Sequence, residues 1–367
     1  MFRSPPDPLR FQQTTDDVRA TLARGPIDLD SDWDTLADRV GAPPFLRPGW
    51  FAAWHRAYGD GRLQVLRVRD GDRLLGVLPI EFRDGATLSP TNTHTPLFGP
   101  VADGPEAERA LATRLLTESR GRIEFAYVDP ATSFPETLAA TLRSAKRSER
   151  RSVLTEAVTH PPYVATASGW DAYLAERPRK FVKELRRLRR RLEEHGALEL
   201  AVHSSIHGLE DALAEFVALE SSGWKASEGT AIGSRGASRR FYSEIAHWAA
   251  RRGWLRLIFL RLDGRPVAAE FDLECAGALY SLKAGFDTEY RAFGPGQLLT
   301  HDCLKMAFDG GLSSYEFLGT DEPYKMTWTD TTRERVRVRS FRRTVSGDLA
   351  ALARHHARPL LRKVRGR

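Results

Sequence analysis

The chain has 367 residues, 41% of them hydrophobic and 28% charged. That composition fits a globular protein of two domains of about 100–200 residues and excludes a fibrous or disordered chain. Its formal net charge is +7, and 47 of its 55 basic residues are arginine. No apolar run approaches the roughly 18 residues of a membrane-spanning helix, so integral membrane association is not expected. The start, Met1-Phe-Arg-Ser-Pro-Pro6, lacks the apolar stretch of a secretory signal, and the cytoplasm is the expected location. Cys275 and Cys303 lack CxxC spacing, which argues against a disulfide scaffold and a Cys-based zinc centre.

In chain order, the first clear pattern is a strand over 63–69 that runs into Asp70-Gly71, a hairpin turn signal, and returns over 73–82. Phe98-Gly99-Pro100 then precedes a helical stretch over 105–119, followed by the strand Glu124-Phe-Ala-Tyr-Val-Asp129. A linker is expected near 150–170, around Thr159-His-Pro-Pro-Tyr163. A helix over 178–196 follows, with Phe181, Leu185, Leu188 and Leu192 on one stripe and Gly196 as its stop. Within 177–191 lie nine basic side chains, among them Arg186, Arg187 and Arg190.

A strand over 198–203 and two helices come next, the second marked by Phe241, Ile245, Trp248 and Ala249. The strands 255–262, 266–274 and 278–285 then form a meander, its first turn at Asp263-Gly264. Phe293-Gly294-Pro295-Gly296 breaks the chain, a helix carries Leu299, Cys303, Met306 and Ala307, and 314–318 reads as a final core strand. A last strand over 334–342 is expected to return to the first domain, ahead of a basic tail over 354–367.

The two halves repeat. Asp70-Gly71 matches Asp263-Gly264, Phe98-Gly-Pro matches Phe293-Gly-Pro, and Glu124-Phe matches Glu316-Phe, at offsets of 193, 195 and 192. The pattern implies two copies of one α/β fold, with domains at 1–160 and 170–333 and a return strand and tail at 334–367. Only the second copy has Arg291-Ala-Phe-Gly294-Pro-Gly296 before its helix. A strand entering a Gly-rich turn and a helix aims backbone N–H groups and the positive helix end at one point. Gly294 and Gly296 allow close approach of a ligand, and Arg291 can pair with a phosphate. The turn is neither a P-loop nor a Rossmann loop. The first copy is expected to be degenerate.

RxxGxG in this position resembles the acyl-CoA loop of the GNAT acetyltransferase superfamily, and the element order agrees. More narrowly, the chain resembles the CelD/BcsL group, relatives of the Fem peptidyltransferases. The resemblance rests on Phe45-Leu-Arg-Pro-Gly-Trp50, the Arg-rich helix ending at Gly196, Ser222-Gly-Trp-Lys225, Gly285–Tyr290, the Gly294-Pro-Gly296 turn, and Asp321-Glu-Pro-Tyr-Lys325 with Trp328. It implies two tandem GNAT-like domains, each a mixed, mainly antiparallel sheet flanked by helices. It also implies acyl-CoA (acetyl-CoA) as co-substrate, held by Arg291, Gly294, Gly296 and Gln297.

The implied activity is N-acyl transfer to an amine acceptor, loosely tied to sugar or cell-envelope chemistry. Lys325 sits where the Fem relatives place a lysine at the reacting centre. Tyr324 is a candidate general acid, and Asp321 or Glu322 a proton acceptor. Trp224 and Lys225, ahead of a polar loop over 226–236, are candidates for contact with the acceptor. Glu270 is a third; with Asp272 it shares one face of a strand. GNAT enzymes often place a general base on such a strand, but the solvent face is the expectation for both residues.

Two other functions fit the same pattern. One is an aminoacyl-tRNA-dependent transferase that holds its RNA through Arg186, Arg187 and Arg190. The other is a non-catalytic binding module on a degenerate GNAT fold. The ten histidines form no HExxH spacing and no GxSxG elbow is present, so neither a metal site nor a serine hydrolase is expected.

Overall fold

The structure is a computed structural model that describes residues 18–23, 31–144, 151–222 and 236–342. The first half contains β1 (Val18–Ala23), α1 (Ser31–Arg39), α2 (Pro48–Tyr58), β2 (Arg62–Asp70), β3 (Arg73–Arg83), β4 (Ala86–Leu88), β5 (Val101–Ala102), α3 (Pro105–Glu118), β6 (Ile123–Val128), α4 (Phe134–Ser144) and β7 (Arg151–Thr159). The second contains β8 (Tyr163–Ala165), α5 (Trp170–Glu176), α6 (Arg179–Glu193), β9 (Leu198–His203), α7 (Leu209–Ser222), α8 (Gly236–Arg251), β10 (Leu255–Leu262), β11 (Arg265–Cys275), β12 (Ala278–Phe286), α9 (Pro295–Asp309), β13 (Ser314–Glu316), α10 (Pro323–Met326) and β14 (Arg335–Arg342).

The strands form two sheets, ordered β1-β2-β3-β4-β6-β14-β7, with β5 beside β3, and β8-β13-β12-β11-β10-β9. Both are antiparallel apart from one pair each, β4 with β6 and β12 with β13. The expected pair of mixed, mainly antiparallel sheets is therefore present, with the meander and its following helix in both.

Four details depart from the sequence expectation. The linker is short: β7 through Thr159 belongs to the first sheet and β8 from Tyr163 already pairs with β13 in the second. The strand expected over 314–318 ends at Glu316, because Leu318 adopts φ +56° and cannot continue a ladder. Phe98-Gly99-Pro100 is not the counterpart of the second-half turn. It precedes β5, which pairs with β3, and α3 starts only at Pro105. Finally, α1, α2, α4, α5 and α10 were not anticipated, nor were β1, β4, β5, β7 and β8.

The return strand does join the first sheet. β14 lies between β6 and β7, and Arg339 ties it to both, donating to Glu124 at 3.1 Å and Glu156 at 2.5 Å. Arg335 donates to Asp129 at 3.0 Å.

Helix α2 joins the halves. Its sequence, Pro-Gly-Trp-Phe-Ala-Ala-Trp, has no polar side chain before His55, so it has no face for water. Phe51 packs into the core of the first sheet, whereas Trp50, Ala53 and Trp54 pack into that of the second. Trp50 meets Phe241 of α8 edge-on at 5.3 Å. Gly49 permits this approach: a Cβ there would lie 2.2 Å from Nε1 of Trp248. Gly49→Ala is expected to destabilise the whole chain by about 1–3 kcal/mol through overpacking, read as a lower Tm. An unchanged Tm would contradict this packing.

Candidate active site

The site starts where two strands part. β12 and β13 pair in parallel from Ala278/Ser314 to Tyr280/Glu316. Beyond that point β12 continues to Phe286, while the chain after β13 turns away at Leu318. A leucine in the left-handed region is strained, and its carbonyl accepts a hydrogen bond from Lys325 Nζ at 2.8 Å.

Two cavities occupy the resulting wedge. One, of about 340 Å³, is lined by Glu270, Ser281, Lys283, Glu322 and Lys325, and on its far side by Thr93 and His94 of the first half. The other, of about 280 Å³, is lined by Gly285, Arg291, Gly294, Gly296, Gln297 and Glu220. Ala284, Thr300 and Tyr324 line both, so the two spaces meet there.

The second cavity is built by the turn into α9. Asp287, held by Arg265 at 2.6 Å, accepts from the backbone N–H of Glu289 and starts a 3-10 turn over Thr288–Phe293. Gly294 (φ +59°) then reverses the chain, and Pro295 opens the helix. The Gly294 carbonyl accepts from the N–H groups of Gln297 and Leu298. Gly296 lines this cavity, and a Cβ there would lie 3.4 Å from Phe286 on the same wall. Gln297 Oε1 is buried without a hydrogen-bond partner among the described residues. Arg291, Gly294, Gly296 and Gln297 thus line one space.

The other candidates are placed unevenly. Tyr324 is 44% exposed and lines both cavities. Its surroundings, then Glu322 and Glu270, push its phenol upward, so it keeps its proton at neutral pH. Lys325 is buried; besides the Leu318 carbonyl, its Nζ meets the Thr320 carbonyl at 3.3 Å and Glu322 Oε2 at 2.5 Å. It therefore clamps the loop that turns away from β13. Asp321 is exposed and lines neither cavity. Trp224, Lys225 and residues 226–235 of the polar loop lie outside the described residues, as does the basic tail.

Arg186, Arg187 and Arg190 are exposed on α6. Arg187 is paired with Glu184 at 2.6 Å, and the neighbouring Arg189 grips Asp302 of α9 with bonds of 2.6 and 2.7 Å. Arg191 lies over the Phe293 ring at 5.1 Å, so this helix flanks the turn.

The solvent-face expectation for Glu270 and Asp272 is overturned. They are 2% and 0% exposed, because both point beneath α9. Tyr315 donates to Glu270 at 2.7 Å, Thr300 at 3.0 Å and Ser281 at 3.2 Å. Burial pushes both carboxyls up; the charge of Glu270 adds to this at Asp272, and hydrogen bonds pull both back, three hydroxyls and the Cys303 thiol at Glu270 and the Ser281 hydroxyl at Asp272.

Sequence reasoning missed His94, which stacks on Tyr58 at 5.4 Å and lies 3.1 Å from the Tyr242 hydroxyl. It sits in a polar stretch, Thr91-Asn-Thr-His-Thr95, with no local signal; only the packing of the halves brings it to the cavity.

Residues 179–326 match the family model of the Acetyltransferase (GNAT) domain. The whole chain is similar in fold to FemX, with TM-score 0.54 and 14% identity over 86% of this chain and 96% of that one. It is also similar to L-PGS from Bacillus licheniformis (0.54, 9%, 90% and 98%) and to a C-terminal DUF2156 domain from Agrobacterium fabrum (0.55, 14%, 88% and 94%). No curated protein sequence matches. The chain thus has the tandem two-sheet fold of these structures, and residues 179–326 of its second half match the GNAT domain model.

Asp272 gives a pH prediction. Its folded pKa is raised above the ordinary 3.8, so between that value and the folded one the native state holds a proton that the unfolded chain has released. Stability is lost as pH rises through this window, by up to about 1.4 kcal/mol per pH unit. Asp272→Asn holds no such proton. Its Tm relative to wild type is expected to rise from pH 4 to pH 8; a constant difference would contradict a protonated Asp272.

Proposed function

We propose that the protein is an N-acyltransferase that moves an acyl group from acyl-CoA to an amine acceptor. The observation that carries this reading is the meeting of the two cavities at Ala284, Thr300 and Tyr324. The cavity at the turn suits the donor. Arg291 and the start of α9 would take its phosphates. The buried Glu220 on the same wall would repel phosphate, so the diphosphate belongs at the Arg291 end and the thioester at Thr300. The acceptor amine would enter the larger cavity between the halves, where Glu270 and Glu322 offer carboxylates to a cation.

Transfer needs the nitrogen, the acyl carbon and a proton donor in one place, and holding them there is itself a large part of the rate. Tyr324 faces both spaces, so its hydroxyl would be placed to donate to the departing thiolate. Lys325 would act by fixing the 318–322 loop, whose Leu318 and Thr320 carbonyls and Glu322 carboxylate it holds. The acceptor would be of the sugar or cell-envelope type, which the Glu270, Ser281, Lys283 and Glu322 side chains on the cavity wall could hydrogen-bond.

An aminoacyl-tRNA donor is the second reading, favoured by the exposed Arg186, Arg187 and Arg190 on the helix that flanks the turn. Titration calorimetry with acetyl-CoA and free CoA separates the two. Micromolar binding is expected for wild type and at least a tenfold loss for Gly296→Trp, whose side chain would fill the donor cavity. Joint replacement of the three arginines by alanine should leave CoA affinity within about threefold. No heat from either ligand, together with salt-dependent RNA binding lost in the triple variant, would favour aminoacyl-tRNA instead.

A further inference from the structure

Beneath α9 two carboxyl groups share one small buried space. Glu270 is surrounded by neutral donors: the hydroxyls of Tyr315 from β13, Ser281 from β12 and Thr300 from α9, and the thiol of Cys303. Asp272 is fully buried, and apart from the Ser281 hydroxyl its carboxylate oxygens find no hydrogen-bond donor among the described residues. One oxygen from each carboxyl and the Cys303 sulfur lie within 4.8 Å of one another.

The other titratable groups facing this space are Tyr315, Asp302 beside Cys303, and Tyr324 and Glu322 across the cavity. Lys283 and Lys325 border the cavity that Glu270 lines. Among the described residues no lysine or arginine acts on Asp272; burial and the Glu270 charge push its carboxyl up, and the Ser281 hydroxyl pulls it back.

Two negative charges this close, without a cation between them, cannot both persist in a dry site. Something must neutralise one of them. The donors decide which. Hydroxyls and a thiol aimed at a carboxylate favour its charged form; four such groups act on Glu270, whereas Asp272 has only the Ser281 hydroxyl.

We propose that Glu270 and Asp272 form a one-proton carboxyl pair at the floor of the acceptor cavity, with the proton on Asp272 and the charge on Glu270, and that Glu270 is the proton acceptor of the reaction. The last clause rests on the acyl-transfer reading; the charge assignment does not. In the step itself, the amine nitrogen forms the bond to the acyl carbon, the carbon–sulfur bond breaks, and the N–H proton passes to Glu270. Tyr324 gives its proton to the leaving thiolate, and both groups reset through the solvent-open cavity. Asp272 is a positioning residue: it acts through Glu270, by keeping the pair at a single negative charge.

Infrared spectroscopy of the full-length protein at pH 7 tests the charge assignment without any substrate. Wild type is expected to show the carbonyl stretch of one buried protonated carboxyl. The band should vanish in Asp272→Asn and remain in Glu270→Gln. The wild-type spectrum decides the first point even if a variant fails to fold. Absence of the band, its loss in Glu270→Gln but not in Asp272→Asn, or one tightly held metal ion per chain in the purified protein would overturn the proposal. For the proton-acceptor role, Glu270→Gln should lower acyl transfer at least about 100-fold and remove the acid limb of its pH profile. Wild-type activity retained in that variant would overturn the role. A band that behaves as expected in a protein that transfers no acyl group to any amine would uphold the carboxyl pair and sink the acyl-transfer reading.

Discussion

The site depends on a parallel strand pair that stops pairing. β12 and β13 are joined over a few residues and then diverge, and the wedge they leave is where both cavities lie. The divergence has a local cause. Leu318 takes a left-handed conformation that ends the ladder, and Lys325 holds its carbonyl from one turn of helix further on. Strain of about 1–3 kcal/mol at such a residue persists only where its surroundings hold it, and here a buried ammonium does so. The opened ladder leaves room on one side for the turn into α9 and on the other for the first half of the chain.

The second constraint is the way the halves share material. α2 has no polar face, so it is buried between the two cores. β14 carries the C-terminal part of the described chain back into the first sheet, and Arg339 there pairs with two carboxylates on flanking strands. The first half is thus more than a support. Its Thr93 and His94 form a wall of the larger cavity, so the acceptor side of the proposed site exists only when both halves are packed.

Much of the fold was legible because it rests on local patterns. Asp-Gly turns fix the hairpins, the stripe Phe181, Leu185, Leu188 and Leu192 marks α6, and Gly294-Pro-Gly marks the start of α9. The turn residues Arg291, Gly294, Gly296 and Gln297 were readable for the same reason: they are neighbours in sequence. What was not legible depends on tertiary packing. Glu270 and Asp272 alternate as a solvent-facing strand would, and only α9 above them makes that face an interior. His94 has no pattern around it. The Phe-Gly-Pro match in the first half misled because a short strand, β5, stands between it and α3.

The central claim is that donor and acceptor spaces meet at Ala284, Thr300 and Tyr324. A crystal structure of the protein with a non-reactive acyl-CoA analogue tests it most directly. The account expects the diphosphate near Arg291 and Gly296, the pantetheine arm along the open edge of β12, and the acyl carbonyl within reach of Thr300 and Tyr324. An analogue bound elsewhere, or with its acyl group pointing away from the cavity that holds Glu270, would contradict it.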